Sequence, residues 1–172
     1  MSSDTATRLE HDSLGEMAIP ATAYYGIQTQ RALENFHISG IGINHYPNLI
    51  RAFGMVKKAC ATANKKLGYL EPEKYKGIAK ACDELVDGKL HEWFAIDVFQ
   101  GGAGTSTNMN VNEVIANRGL ELMGYHKGEY SHLHPNDDVN LSQSTNDVYP
   151  TAFRLAVMLS HAVLMKAPGN PA

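Results

Sequence analysis

Cysteine is nearly missing from this chain. Cys60 and Cys82 are the only two among 172 residues, and each falls inside a helical apolar pattern. That excludes a disulfide framework; the two read as reduced core thiols of a protein in a reducing compartment. Basic clusters are missing too. Lys and Arg total 15 against 18 Asp and Glu, a net charge of −3, so there is no electrostatic footprint for nucleic acid. Long apolar runs are the third absence. The start, Met1 to Arg8, is polar and has no signal-peptide core. The apolar segment Ala152 to Met165 is shorter than about 18 residues and contains Arg154, so it is no membrane span. A cytoplasmic location is expected. What the chain does have is 44% hydrophobic residues, enough to bury a core in one domain, or in one domain plus part of another.

The most informative stretch is Gln100 to Asn110. Three glycines are followed by Thr105-Ser106-Thr107 and then by apolar residues at helical spacing. Glycine lets a backbone approach a ligand closely. Hydroxyls at a helix start leave free N–H groups and the positive end of the helix dipole pointing at whatever binds. Such a place suits an anion. The stretch Ser142 to Asp147 repeats the pattern ahead of a second apolar run. With no lysine in either stretch, a carboxylate fits better than a polyphosphate.

Along the rest of the chain, residues 1–10 read as loose, and Ser13 to Tyr25 as turns with a short strand pair. A short helix is expected from Thr29, and a loop around Gly40 and Gly42. Pro47 to Leu67 reads as an amphipathic helix with apolar positions 49, 50, 53, 56, 60, 63 and 67. Lys57, Lys58, Lys65 and Lys66 fall mostly on its wet face. Pro72 to Gly88 reads as a second helix, with Ile78, Cys82, Leu85 and Val86 inward. Trp93 to Phe99 reads as extended. A third helix is expected from about Asn108 to Met123, with Asn110 and Glu113 spaced as a capping pair for a late start. Residues 125–143 read as turns. Pro150 suits the first turn of a last helix, apolar nearly all round, which must be buried on most sides. This chain offers few helices to cover it, so missing helices or other subunits are implied. The fold class is mainly α, with a compact unit over 1–139 and the start of a longer bundle helix over 140–172.

These motifs carry a resemblance. Ala23-Tyr24-Tyr25-Gly26, Gln28-Thr29, Arg31-Ala32, Glu34-Asn35-Phe36, Gln100 to Asn110, Asn112-Glu113-Val114, Glu121 to Gly124 and Ser142 to Asp147 together resemble the N-terminal part of the aspartate ammonia-lyases. That family belongs to the aspartase/fumarase superfamily, and the match runs from about Leu9 to His161. Gly-Gly-Ala-Gly-Thr-Ser is similar to the aspartase form of the loop, where class II fumarases typically carry Thr-Gly-Ser-Gly-Thr-Gln. Ser144-Thr145 likewise resembles aspartases, where fumarases usually have Ser-Ser.

The resemblance implies elimination of ammonia from L-aspartate to give fumarate, with no cofactor and no metal. Removing a weakly acidic proton beside a carboxylate drives charge into that carboxylate. Preorganised neutral donors stabilise that state selectively. By the resemblance, Thr105, Ser144 and Thr145 hold the substrate β-carboxylate and Ser106 adds to them. Asn146 orients the amino group, and Arg31 contacts a substrate carboxylate. The family's base, a serine on a flexible Gly-Ser-Ser-Ile-Met-Pro-like loop, has no counterpart here, nor have its Thr-His and Lys-x-Asn pairs. No catalytic residue is therefore assigned, and the chain alone is expected to be inactive. The family assembles its sites from several subunits of a homotetramer. Two other readings stay open: the same part of a fumarase or another superfamily lyase, and a non-catalytic helical assembly module.

Other signals read as structure. Met109 and Val111 belong to the core. His132, His134, Asp137 and Asp138 form a solvated turn. In fumarases a similar His-Pro-Asn-Asp-Asp segment borders a second carboxylate site, but the arginine used there aligns with Ser131. His134, Asn136 and Asp137 therefore stay off the site. His161 reads as a packed helix residue.

Overall fold

The computed structural model describes residues 6–165. Two strands and five main helices follow in order. Strands β1 (Thr7–Asp12) and β2 (Gly15–Pro20) form an antiparallel hairpin with Arg8 opposite Ile19 and Glu10 opposite Met17. The Leu14 N–H donates to Asp12 Oδ1 at 2.9 Å and closes the turn. Residues 7–10, expected to be loose, are thus paired strand. The outermost residues of the chain, including the expected break from Lys166 onward, lie outside the described residues.

Helix α1 (Ile27–Asn35) starts two residues earlier than expected. It is followed by α2 (Pro47–Lys66) and α3 (Pro72–Val86), each with proline in its first turn, where the missing N–H costs nothing. Between α3 and the next helix, a short 3₁₀ turn, His91–Trp93, precedes the segment expected to be extended, which runs beside residues 41–44 through one bridge from Asp97 to Gly42 and the carbonyls of Phe94 and Ile96 without forming a full strand. Helix α4 (Thr105–Leu122) crosses α3, and α5 (Thr145–Met165) lies along α2. Residues 125–143 are mostly turns, with one π-helical turn at Pro135–Val139.

One core joins these helices. Phe53, Ile78, Leu85, Phe94, Ile115, Leu120 and Leu133 are buried in it, and Val148, Ala152 and Ala156 tie α5 to it. Each such large side chain contributes about 1.5–3 kcal/mol by leaving water. Gly77 of α3 faces Gly119 of α4, where a Cβ on Gly77 would lie 3.2 Å from the Gly119 carbonyl oxygen and one on Gly119 3.4 Å from the Gly77 backbone, so the two helices come close through glycine.

Four expectations need correction. The buried face of α2 runs through Leu49, Ile50, Phe53, Lys57, Ala61 and Asn64, whereas Ala63 and Leu67 are exposed. Lys57 is not on the wet face; it is 0% exposed. Second, α4 begins at Thr105, so Asn110 and Glu113 are interior rather than a capping pair. Asn110 Nδ2 donates to the Trp93 carbonyl instead. Third, α5 begins at Thr145 and runs through Pro150. Fourth, His161 is exposed rather than packed, whereas the exposure of Phe153, Val157 and Met158 on α5 agrees with the expectation that this chain offers too few helices to cover it.

Candidate functional site

The glycine-rich turn is fixed from both ends. Asp97 accepts the N–H groups of Ile38, Ser39, Gly40 and Phe99 and the Ser39 hydroxyl. Desolvation pushes its carboxyl up, but these bonds outweigh it and hold the group well below the usual carboxylate range. Next, Gln100 folds over the start of α4. Its Oε1 accepts the Thr107 N–H at 2.8 Å and its Nε2 donates to Thr107 Oγ1 at 2.8 Å. Gln100 therefore caps the helix in place of a serine or aspartate, since the N-cap residue is Gly104. The N–H groups of Thr105 and Ser106 keep no acceptor among the described residues.

Gly104 is required twice. Its φ is +88°, and a Cβ would lie 2.3 Å from the Tyr149 ring. Tyr149 belongs to the first turns of α5, so this contact seats the start of α5 against the start of α4. Helix α5 opens with a reciprocal cap: Ser144 Oγ accepts the Asn146 N–H at 3.2 Å, and the Asp147 carboxylate accepts the Ser144 N–H at 3.1 Å. Asn108, one turn into α4, bridges the two starts. Its Nδ2 donates to Thr145 Oγ1 at 3.2 Å and to Asn140 Oδ1 at 3.0 Å.

Beneath this corner lies Lys57. Its Nζ donates to Asn140 Oδ1 at 2.9 Å and to Gln143 Oε1 at 3.0 Å. Two turns further along α2, Asn64 Nδ2 donates to the Leu141 carbonyl at 2.9 Å. The segment leading into Ser144-Thr145-Asn146 is thus held by two buried polar residues of α2. Desolvation lowers the Lys57 ammonium from its ordinary value to about 7.

Of the six residues expected at the site, five lie on the two adjoining helix starts: Thr105 and Ser106 on α4, Ser144, Thr145 and Asn146 on α5. Arg31 does not join them. Its Nε and Nη2 pair with the Asp12 carboxylate at 2.9 and 2.8 Å, and Nη2 also donates to the Gly15 carbonyl. Arg31 closes the hairpin onto α1. Thr105 also lines a cleft of ≈ 990 Å³ together with Glu10, Asp12, Glu113, Tyr130 and His134. A second, more apolar cavity of ≈ 620 Å³ between α2 and α5 contains none of the six. In the 132–138 turn, His132 stacks on Tyr125, His134 Nδ1 accepts the Asn136 and Asp137 N–H groups, and Asp138 pairs with Lys74.

The profile of a family described as lyase matches residues 15–170. The chain belongs to that lyase family. Lyase relatives of known kind lie close by. The aspartate ammonia-lyase of Pseudomonas aeruginosa is 56% identical over 165 residues, 96% of this chain and 35% of its own length. That of Escherichia coli K12 is 55% identical over 161 residues, 93% of this chain and 34% of its own. A crystal structure of fumarate lyase:delta crystallin from Brucella melitensis is 63% identical and superposes with a TM-score of 0.90 over 91% of this chain and 36% of its own. Class II fumarase from Schistosoma mansoni, 38% identical, superposes at 0.85 over 91% of this chain and 33% of its own. The chain spans about a third of the length of these lyases.

Two anchors of this lyase chain escape a reading by motif. One is Lys57. It sits four residues after Phe53 and seven after Ile50, on the apolar stripe itself, and that spacing is the signal for its burial. The other is Glu113. From α4 its carboxylate accepts the N–H groups of Gly26, Gln28 and Thr29 and the Thr29 hydroxyl, capping α1 across the molecule. Desolvation raises it to about 7 against those four bonds. Nothing in local sequence announces a cap 84 residues away. Chemically, the two adjoining helix starts carry two free N–H groups and several uncharged hydroxyls, groups of the kind that bind a carboxylate.

Proposed function

We propose that this chain is the N-terminal third of an aspartate ammonia-lyase and supplies the part of its site that grips the substrate β-carboxylate. The observation that carries this reading is the Asn108–Thr145 hydrogen bond. It joins the Gly-rich start of α4 to the Ser-Thr-Asn start of α5, in a chain 56% identical to a named aspartate ammonia-lyase. Thr105, Ser106, Ser144 and Thr145 donate to the carboxylate as it takes on the charge of the departing proton. Donors already in place cost no reorganisation at that moment, so they favour the charged state over the ground state. Asn146 orients the amino group that leaves as ammonia. Arg31 has no part in this, because Asp12 already holds it.

The chain contributes no base to the reaction. It is inactive alone, and the remaining groups come from later sequence and from neighbouring subunits of a cytoplasmic homotetramer. No cofactor takes part.

The test is a chimera in which this chain replaces the matching third of the Pseudomonas aeruginosa aspartate ammonia-lyase. The chimera forms fumarate from L-aspartate, followed by the ultraviolet absorbance of fumarate. Thr105→Val and Ser144→Ala each reduce that activity by roughly a hundredfold or more, the scale of losing one preorganised donor. A correctly assembled chimera that hydrates fumarate to malate but does not deaminate aspartate overturns the assignment in favour of a fumarase.

A further inference from the structure

We propose that Lys57 is a positioning residue for the carboxylate site: its buried ammonium, together with the backbone carbonyls that orient Asn140 and Gln143, holds a hydrogen-bond relay through Asn140 and Asn108 that leaves the Thr145 hydroxyl free to donate to substrate. The role in catalysis rests on the lyase reading above. The relay itself rests on geometry.

An ammonium only donates. Lys57 is 0% exposed, so its protons must be taken up inside the protein, and Asn140 and Gln143 turn their side-chain oxygens toward it. Their amino groups are fixed independently. Asn140 Nδ2 donates to the Gln143 carbonyl at 3.1 Å, and Gln143 Nε2 to the carbonyls of Val139 and Leu141 at 3.0 and 3.2 Å. With its oxygen committed inward, Asn140 also accepts from Asn108 Nδ2 and Asn112 Nδ2. That orients Asn108 with its amino group toward Asn140 and Thr145. Its second N–H reaches Thr145 Oγ1 at 3.2 Å.

A hydroxyl that accepts from within keeps its own hydrogen for another partner. The Thr145 hydrogen has no protein acceptor among the described residues. Ser144 behaves alike, since its oxygen accepts the Asn146 N–H. Both hydroxyls are thus set as donors before any ligand arrives. A neutral amine at Lys57 still donates to both oxygens but carries no charge to strengthen those bonds, so the relay weakens without reversing, because backbone carbonyls keep holding the Asn140 and Gln143 amides. The titratable groups facing Lys57 are Cys60 on its own helix, Cys82 on α3 and Asp147 on α5. Both thiols are pushed up by burial, Cys82 to about 12, which leaves Asp147 as the charged neighbour at neutral pH. Burial brings the Lys57 ammonium to about 7, within reach of an ordinary pH profile.

The kinetic test uses the chimera. Lys57→Met raises KM for L-aspartate or lowers kcat/KM by roughly ten- to a hundredfold, the size of one hydrogen bond to a charged group. In a Thr145→Val background the same change costs nothing further, because the relay then has no end. Full multiplication of the two losses overturns the proposal, since that is what a general packing role produces. Should Lys57→Met fail to assemble, Asn108→Asp carries the same test. Its carboxylate accepts the Thr145 hydrogen and turns it inward, with the same loss and the same dependence on Thr145.

A spectroscopic arm on the 172-residue chain is independent of the reaction. The side-chain amide resonances of Asn140, Gln143 and Asn108 shift together near neutral pH in the wild type and stay flat in Lys57→Met. Flat resonances in the wild type overturn the relay even if the chimera is a lyase. A moving set in an inactive chimera keeps the relay and rejects the lyase reading.

Discussion

Two buried ionisable side chains anchor the two ends of this molecule, and they are finished to different degrees. Glu113 holds the start of α1. Its carboxylate accepts four hydrogen bonds, and the surroundings are equally closed: Tyr130 donates to Glu10, Asn117 donates to the Tyr24 carbonyl and to Tyr130, and Arg8 spans Glu10 and three backbone carbonyls. Lys57 holds the start of α5. Around it the Oδ1 atoms of Asn108 and Asn112 are buried without a partner among the described residues, and the hydroxyls and N–H groups of the two helix starts keep spare capacity. A closed polar network specifies one backbone arrangement. An open one costs stability and keeps groups available for something that is not part of the chain. The first region belongs to the fold, the second to the site proposed above.

The largest expected effect breaks the closed region. Glu113→Ala leaves the buried N–H groups of Gly26 and Thr29, and the part-buried one of Gln28, without an acceptor and costs about 3–5 kcal/mol in urea unfolding; Glu113→Gln costs clearly less. A loss under about 1 kcal/mol for the alanine variant means the carboxylate is not what seats α1. Next comes the joint between the helix starts. Gly104→Ala puts a Cβ into the Tyr149 ring at a positive φ and costs about 2–4 kcal/mol, with part of the loss recovered in Tyr149→Ala.

A third prediction separates the two anchors by pH. Glu113 is raised in the folded state to about 7 from the ordinary 4.5. Its contribution is therefore full below about 4.5 and is lost as pH rises toward 7. Lys57 is lowered to about 7 from the ordinary 10.5. Its contribution is full above about 10.5 and is lost as pH falls toward 7. Each limb has a slope of at most about 1.4 kcal/mol per pH unit. Glu113→Gln flattens the acid-side fall and Lys57→Met the alkaline-side rise, each leaving the other limb in place; stability curves against pH check both. The smallest effect lies outside both regions. Lys76→Ala removes an exposed partner of Glu73 and changes stability by less than about 0.5 kcal/mol.

Much of this was legible in the linear chain. Prolines at helix starts, glycines at helix ends and apolar spacing located α2 and α3 nearly to the residue. The two hydroxyl-rich stretches were identifiable because their chemistry is local: a glycine turn, hydroxyls, then a helix. Arg31 reads as a ligand in the sequence because an arginine in a matching motif carries no mark of its partner, and Asp12 meets it only when the hairpin folds back. Lys57 reads as mostly solvent-facing because lysine usually belongs there. Its acceptors, Asn140 and Gln143, lie more than 80 residues away. The start of α4 was placed three residues late because its cap comes from Gln100, five residues before the helix.

Sequence alone therefore determined which segments become helices and where α2, α3 and α4 stop, and it carries the reading that two helix starts suit an anion. Those properties depend on backbone sterics and on periodicity over a few residues. Tertiary structure alone decided which helix starts meet, which charged groups are buried, and which polar atoms remain unpaired. Those outcomes depend on distance and solvent exclusion between segments far apart in the chain, and no local pattern encodes either.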